Sequence, residues 1–181
     1  MNYYKNYFNN IYEQLNSMDE QEFIAIASIM EQCNQKGGKV IFVGNGGSAA
    51  LSSHLSVDLT KAAGIRSTNF NEADLITCYA NDYGYEKWVV EALKSYVDLN
   101  DVVVLISSSG RSPNIIMAAE YLKLNGIKLI TLSGFSSQNE LRNKGDINLW
   151  VDSSSYNIVE MTHHIWLLSI VDYIISKNRN L

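Results

Sequence analysis

The stretch "DVVVLISSSGRSPN" at residues 101–114 joins a run of apolar residues to a loop rich in hydroxyl groups. Five consecutive aliphatic residues, most of them β-branched, are typical of a strand buried in a parallel sheet. Pro113 is the only proline of the chain, and it suits the first turn of a helix because that position needs no backbone N–H donor. The stretch therefore predicts a strand, a short polar loop and a helix.

A second stretch, "KVIFVGNGGSAA" at residues 39–50, has the same construction, with glycines in the loop. Further short apolar runs, "RSTNF", "IKLITL" and "INLWV", alternate with helical patterns along the chain. Strands that alternate with helices need crossover connections, which give a mostly parallel sheet with helices on both faces. The predicted fold is of the α/β class, a three-layer α/β/α sandwich with a five-stranded, mostly parallel sheet.

The first 36 residues predict two helices ahead of this sheet, with Asp19 as the N-cap of the second and Gly37 and Gly38 after its end. No linker, repeat or low-complexity tract interrupts the 181 residues. We therefore expect a single domain over residues 1–181, with a helical pair at 1–36 and an α/β core at 37–181.

Composition argues against several classes of protein. The net charge of −5 disfavours general affinity for nucleic acid, which rests on lysines and arginines. No apolar run reaches the roughly 18 residues of a membrane span, and the N-terminus lacks the pattern of a signal peptide. Cys33 and Cys78 are isolated, which predicts neither a disulfide nor a metal site. We expect a cytoplasmic protein without nucleic-acid or membrane partners.

The two loops predict a binding site for a small phosphorylated ligand. In sheets of this kind, ligands bind at the carboxyl ends of the strands, where both loops lie. Each loop offers small residues, hydroxyl groups and the start of a helix, whose free N–H groups favour an anion. For either loop alone, the glycines could equally serve tight turns and the serines could cap the helix.

A dinucleotide site is the competing interpretation, because residues 44–49 match G-x-G-x-x-A. That motif should be followed by an acidic residue about 20 positions later, which holds a ribose. The nearest candidate, Glu72, comes later than that. A dinucleotide also leaves the serine loop unexplained, so we expect no nucleotide cofactor.

Four motifs together resemble the sugar isomerase (SIS) domain family, specifically its phosphoheptose isomerase branch. They are "GNGGSAA", "SSSGRS", "ANDYG" and "NIVEMTHHIWLL", at residues 44–50, 107–112, 80–84 and 157–168. The resemblance covers essentially the whole chain. It implies a flavodoxin-like sandwich that assembles as a homotetramer with active sites between subunits. It also implies the interconversion of sedoheptulose 7-phosphate and D-glycero-D-manno-heptose 7-phosphate, for bacterial lipopolysaccharide or capsule.

The resemblance also assigns substrate-binding residues. Four hydroxyl groups would hold the phosphate: Ser107, Ser108, Ser109 and Ser112. The remaining candidates for contact with the sugar or for the edge of the site are Asn45, Gly46, Gly47, Ser48, Asn81 and Asp82. One departure is Arg111, where the family usually has asparagine. An arginine can bind phosphate through two hydrogen bonds or can point into solvent, and the sequence leaves both open.

An aldose–ketose isomerase needs a base near neutral pH and a group that stabilises the developing oxyanion. His54 and Asp58 lie four residues apart on one predicted helix, so they share a face. The resemblance places a catalytic pair there, with glutamate in place of Asp58, whose side chain is one methylene shorter. Alternatively, the two residues form a partly exposed ion pair without a catalytic role.

The last predicted helix departs further, because Val159 and Leu167 stand where the family has glutamine and histidine. Residues 159, 163 and 167 share one helix face. We therefore hypothesise that His163 replaces the lost groups and approaches His54 and Asp58 as a proton shuttle or metal ligand. Alternatively, His163 is an interface histidine with satisfied hydrogen bonds. A His/Asp/His set would suit zinc or a similar divalent ion.

Two other residues of this helix have different expected roles. We expect His164 to be an exposed residue without a role in the site. Glu160 matches a family glutamate, and its position suits catalysis, the helix surface or a subunit contact equally.

Three functions remain open from the sequence. The first is isomerisation of a heptose 7-phosphate. The second is binding of a sugar phosphate or of a partner protein without catalysis, which the changed acid and base positions keep open. The third is isomerisation of a different phosphorylated ketose.

Overall fold

A single parallel sheet of five strands forms the centre of the protein. The computed structural model describes residues 2–179. The strands are β1 Val40–Gly44, β2 Ser67–Asn69, β3 Val102–Ser107, β4 Lys128–Ser133 and β5 Ile147–Trp150. Their order is β2-β1-β3-β4-β5, and every neighbouring pair is parallel. The predicted α/β class is confirmed, and the sheet is entirely parallel within the described residues.

Helices cover both faces of the sheet. They are α1 Tyr3–Leu15, α2 Glu20–Gln35, α3 Gly47–Lys61, α4 Ala73–Tyr83, α5 Trp88–Tyr96, α6 Pro113–Leu124 and α7 Tyr156–Arg179, with a short 3₁₀ helix at Leu141–Asn143. Helices α2, α3 and α7 bury their apolar side chains against one face of the sheet. Helices α5 and α6 do so against the other face, and α4 packs beside α5. This is the predicted three-layer arrangement.

The two predicted N-terminal helices are confirmed as α1 and α2. Asp19 caps α2, as predicted, because its carboxylate accepts a hydrogen bond of 2.8 Å from the backbone N–H of Gln21. Helix α1 packs mainly on α7 and buries none of its own residues completely. The helical pair therefore extends the layer that contains α3 and α7.

Strand β3 shows why its sequence is continuously apolar. Val102, Val104 and Ile106 face the core under α2, α3 and α7. Val103 and Leu105 face the opposite core, under α5 and α6. All five side chains are buried, since each face of a central parallel strand is covered by helices.

Helix α7 is the one helix of residues 2–179 that is long and apolar enough, over Tyr156–Lys177, to cross a membrane by length and composition alone. Half of that stretch is buried inside the fold. Its apolar side chains belong to the core beside the sheet, and core helices commonly meet the same two criteria. Helix α7 therefore gives only weak support for a membrane span.

The strand order also determines where the two loops meet. Connections from β1 and β3 run to opposite faces of the sheet, through α3 and α6. The carboxyl ends of these neighbouring strands are therefore open between the two helices. The glycine loop, residues 44–50, follows β1, and the serine loop, residues 107–112, follows β3.

Candidate active site

The glycine loop and the serine loop enclose a cavity of about 100 Å³ at the carboxyl ends of β1 and β3. In the sheet register, Gly44 at the end of β1 lies opposite Ile106 of β3. The cavity is lined by Asn45, Ser48, Ile106, Ser107, Ser108, Ser109, Ser112, Tyr156 and Glu160. The structure thus brings together the four predicted phosphate serines and two predicted sugar-binding residues.

The serine loop has a shape that depends on glycine. Gly110 has a φ of +63°, and its N–H donates a 2.9 Å hydrogen bond to the carbonyl of Ser107. A Cβ at Gly110 would collide with the side chain of Asn139, which is fully buried. The turn therefore directs the serine hydroxyl groups toward the cavity and brings the chain to the start of α6.

The hydroxyl groups of the serine loop are not equivalent. The Oγ atoms of Ser107 and Ser112 are 3.1 Å apart and hydrogen bond to each other. The Oγ of Ser108 is buried and has no hydrogen-bond partner within the described part of the chain. A buried hydroxyl without a partner costs about 1–3 kcal/mol, and a ligand oxygen would remove that cost. The first turn of α6 adds backbone N–H groups that favour an anion.

The glycine loop brings a carboxylate to the start of α3. The Glu160 carboxylate lies so close to Gly47 that a Cβ at Gly47 would overlap it. A negative charge is stabilised at a helix N-terminus, so Glu160 occupies the position that an anionic ligand would take at α3. The other helix N-terminus at the cavity is that of α6, which follows Ser112. Gly46 precedes α3 with a φ of +56°.

Asn45 is held by an amide pair that sequence reasoning missed. The side-chain amides of Asn45 and Asn114 exchange two hydrogen bonds of 2.9 Å each. The Tyr85 hydroxyl donates a third hydrogen bond, of 3.3 Å, to the Asn45 Oδ1. Asn114 is 1% exposed. A polar residue directly after Pro113 and ahead of the apolar run at 115–119 was the signal that could have identified it.

A second polar cluster lies where α3 meets α7. The His54 Nε2 is 3.3 Å from the Asp58 Oδ2, as the i, i+4 spacing predicts. The His54 Nδ1 is 2.9 Å from the Nε2 of His164. The two imidazole rings are perpendicular, with centroids 5.0 Å apart. His164 is hydrogen-bonded to His54, which lies within ion-pair distance of Asp58, and we call these three residues the histidine cluster.

We predicted His164 to be an exposed residue without a role in the site. The predicted position is wrong. His164 is half-buried and bonds directly to His54. Burial lowers the pKa of His164, and the neighbouring His54 lowers it further, while Asp58 acts in the opposite direction. His164 is therefore neutral over most of the physiological pH range.

The hypothesis that His163 approaches His54 and Asp58 is also wrong. His163 is fully buried, and its Nε2 donates a 3.0 Å hydrogen bond to the carbonyl of Ser133. Val159 and Leu167 share its helix face and lie in the core at 0% and 1% exposure. Since consecutive helical residues point about 100° apart, the face that meets α3 is the one with residue 164.

The proposed zinc set does not fit this geometry. His163 points into the core, and burial lowers its pKa to about 4 while its Nδ1 has no hydrogen-bond partner among the described residues. Within residues 2–179, no group of three or more His, Cys, Asp or Glu side chains is arranged to hold a metal ion. His54, Asp58 and His163 are therefore not assigned as metal ligands.

Three further candidates lie outside the lining of the cavity. Asn81 and Asp82 are exposed on α4, where the Asn81 side chain donates a 2.9 Å hydrogen bond to Asp82. Arg111 is exposed, and its backbone N–H donates a 3.3 Å hydrogen bond to the Ser109 hydroxyl. Contacts of these side chains with a substrate stay predictions.

Comparison with known proteins identifies the family of this chain. The family model of the SIS domain matches residues 3–134 of this chain. The chain belongs to the SIS domain family. Its similarity to a phosphoheptose isomerase of Buchnera aphidicola subsp. Acyrthosiphon pisum reaches 31% identity over 156 residues, 83% of this chain and 80% of that protein. The SIS chain therefore falls in the phosphoheptose isomerase branch.

Solved structures show the same fold. A phosphoheptose isomerase from Neisseria gonorrhoeae superimposes with a TM-score of 0.85 at 23% identity, covering 95% of each chain. A phosphoheptose isomerase from Francisella tularensis also superimposes with a TM-score of 0.85, at 24% identity, covering 96% of this SIS chain and 95% of the other. These matches show the fold, and the curated relative at 31% identity supports a sugar-phosphate isomerase as the functional class.

Proposed function

We propose that this SIS protein interconverts sedoheptulose 7-phosphate and D-glycero-D-manno-heptose 7-phosphate. Support for the reaction comes from the phosphoheptose isomerases that the chain resembles. Support for the ligand comes from one observation above all, the buried and unpartnered Oγ of Ser108 beside the free N-terminus of α6. The phosphate is held there, with the hydroxyl groups of Ser107, Ser109 and Ser112 around it.

The position of the histidine cluster suits a substrate with seven carbons. The phosphate is on C7, whereas the reaction takes place at C1 and C2, so the proton-transfer groups belong well away from the serine loop. His54 follows Gly47 by seven residues on α3, which is about 10 Å along a helix axis. The histidine cluster, with His54 and Asp58, therefore belongs at the C1–C2 end of the substrate.

The reaction passes through an enediolate. A base removes a proton from C1 of the ketose, the C1–H electron pair forms the C1–C2 double bond, and the carbonyl oxygen on C2 takes up a proton. Loss of the proton from the oxygen on C1 and return of a proton to C2 then give the aldose. Hydrogen-bond donors beside the two oxygens lower the energy of the charge that develops on them.

Self-association would cover the apolar surface that the single chain exposes. Tyr4, Phe8 and Tyr12 on α1 are 74%, 63% and 68% exposed, and Met161 and Ile165 on α7 are also exposed. Patches of large apolar side chains mark interaction surfaces. We propose that other copies of the chain pack here and form a homotetramer with active sites between subunits. Light scattering should then give four times the mass of the 20.3 kDa chain.

The cellular role belongs to the same proposal. An isomerase of heptose 7-phosphates would act in the cytoplasm and supply heptose for bacterial lipopolysaccharide or capsule. A second candidate function is binding of a sugar phosphate without turnover. It is favoured by the buried apolar residues Val159 and Leu167 and by the short side chain of Asp58. A different phosphorylated ketose as substrate is the third option.

One experiment separates these functions. The protein is incubated with sedoheptulose 7-phosphate in D₂O, with and without a divalent metal ion, and the sugar is followed by NMR. We expect the aldose to form and deuterium to enter at C1 of the ketose and C2 of the aldose. If the sugar binds without either change, the protein is a binder rather than an isomerase of this substrate.

A matched variant tests the phosphate site in the same assay. Ser107→Ala combined with Ser109→Ala removes two hydroxyl groups of the serine loop and leaves the histidine cluster intact. We expect the Kd for the sugar phosphate to rise at least 10-fold, because hydrogen bonds to charged groups contribute about 1.5–3 kcal/mol each. An unchanged Kd would place the phosphate elsewhere.

A further inference from the structure

The contacts of the histidine cluster indicate where its hydrogens lie. The Asp58 Oδ2 is 3.3 Å from the His54 Nε2, an ion-pair distance, and a carboxylate favours a hydrogen on the nitrogen that faces it. In a neutral ring the His54 Nδ1 is then without a hydrogen and accepts. The His164 Nε2, at 2.9 Å, must therefore donate to it. Each ring fixes the tautomer of the next.

This order leaves the Nδ1 of His164 as a bare acceptor. No side chain within the described range bonds to that atom, whereas the corresponding atom of His163 is sealed in the core. A neutral imidazole with one nitrogen fixed by a partner and the other unoccupied is the form that acts as a general base. The carboxylate at the far end stabilises the imidazolium that forms when the base accepts a proton.

His164 does not itself line the cavity, but it lies one helical turn beyond a residue that does. Glu160 lines the cavity and lies one turn before His164, so the two side chains share a helix face about 6 Å apart along the axis. Side chains on a helix lean toward its N-terminus, which here is the end at the cavity. His164 is thus the ionisable group of the cluster on the same helix face as Glu160.

We infer that His164 is the residue that transfers the proton between C1 and C2, and that His54 and Asp58 are positioning residues that hold its tautomer. The inference rests on the proposed isomerase function. His164 Nδ1 takes the proton from C1 of the ketose as the C1–H electron pair forms the enediolate. The imidazolium, whose proton can exchange with solvent, then gives a proton to C2, while the oxygen on C1 loses a proton and the oxygen on C2 gains one, so the ring ends the cycle neutral and no further reactant is needed.

The test compares His164→Ala with Asp172→Asn, an exposed change further along the same helix. We expect His164→Ala to lower kcat for the heptose phosphate by about 10²–10⁴, the usual contribution of a general base, with KM changed less than about threefold. Added imidazole should restore part of the lost kcat in His164→Ala. A residue that only stabilises α7 would not be rescued, and Asp172→Asn should match the wild type.

Two further variants test the role of Asp58 as a positioning residue. Asp58→Asn should lower kcat in the wild-type background and have no additional effect in His164→Ala, because residues that act through one another are not additive. Asp58→Glu, which keeps the carboxylate, should retain more kcat than Asp58→Asn. Additive losses would show that Asp58 acts independently of His164.

The outcomes also separate this inference from the function on which it rests. If the wild type turns over the sugar phosphate and His164→Ala keeps its kcat within about fivefold, the inference is wrong and the proposed function stands. Failure of imidazole to restore any kcat in a folded His164→Ala protein also overturns it. If the wild type turns over neither sugar, both the function and the inference are wrong.

Discussion

The serine loop and the histidine cluster are built by different means. In the serine loop, backbone turns at the end of a strand fix the hydroxyl groups, and Gly110 permits the turn. In the histidine cluster, the side chains depend on how two helices, α3 and α7, are rotated about their axes. A site fixed by the backbone can be located from local sequence, whereas a change of one residue in helix register exchanges His163 for His164.

The largest effect is expected from Gly110→Ala, which disrupts the backbone turn of the serine loop. The new Cβ would meet the buried Asn139 side chain, whose amide donates hydrogen bonds to Ser133 and Gly134. Overpacking and the unfavourable positive φ together should lower the free energy of unfolding by about 4 kcal/mol. Urea denaturation measures this loss of stability.

Gly126→Ala is the matched control for that change. Gly126 has a φ of +67°, and nothing lies within 4 Å of a Cβ built on it. Only the unfavourable positive φ opposes the alanine, so we expect the free energy of unfolding to fall by about 1 kcal/mol. Equal losses in the two variants would mean that the contact with Asn139 does not shape the serine loop.

A somewhat smaller effect on stability, dependent on pH, is expected from His163 in helix α7. Burial lowers its pKa to about 4 from the ordinary 6.5. The unfolded chain therefore binds a proton at a higher pH than the folded chain. The stability contributed by the neutral ring is complete above about pH 6.5 and is lost as the pH falls toward 4, by about 3 kcal/mol in total.

The measurement compares the wild type with His163→Leu, which removes the titrating ring. The difference between their free energies of unfolding in urea should fall by about 3 kcal/mol between pH 7 and pH 4. Subtracting the variant cancels the contributions of other groups. A difference that stays constant with pH would place His163 in solvent rather than in the core.

The smallest effect concerns the single hydroxyl group of Ser108. Ser108→Ala removes a buried hydroxyl that has no partner among the described residues, so the stability of the ligand-free protein should be unchanged or slightly raised. The Kd for a sugar phosphate should rise about 10-fold, since one hydrogen bond to a charged group is lost. Isothermal titration calorimetry measures the Kd.

Ser52→Ala is the matched control, and its effects on stability and on the Kd should be the opposite of those of Ser108→Ala. Ser52 is also fully buried, but its hydroxyl donates a 2.7 Å hydrogen bond to the carbonyl of Ser48. We expect a loss of about 1 kcal/mol of stability and an unchanged Kd. The same response from both variants would contradict the assignment of Ser108 to the ligand.

The fold and the position of the serine loop could be predicted because short stretches of sequence determine them. Continuous apolar runs such as residues 102–106 indicate strands covered on both faces, and their alternation with helices requires a parallel sheet. The loops that follow parallel strands must meet at one edge of the sheet. No knowledge of helix rotation is needed for these steps.

The histidine cluster could not be predicted in the same way, because contacts between helices far apart in sequence decide it. The family pattern places functional groups at 159 and 167, but here Val159 and Leu167 are apolar and pack into the core. That packing turns His163 inward and leaves His164 facing α3. The Asn45 and Asn114 pair escaped prediction for a related reason, since 69 residues separate its members.

A crystal structure with sedoheptulose 7-phosphate bound to the His164→Ala protein tests both ends of the proposed site at once. We predict a phosphate oxygen about 3 Å from the Ser108 Oγ, and C1 and C2 beside the space vacated by His164. A phosphate bound away from residues 107–112, or C1 and C2 placed far from the histidine cluster, would contradict this prediction.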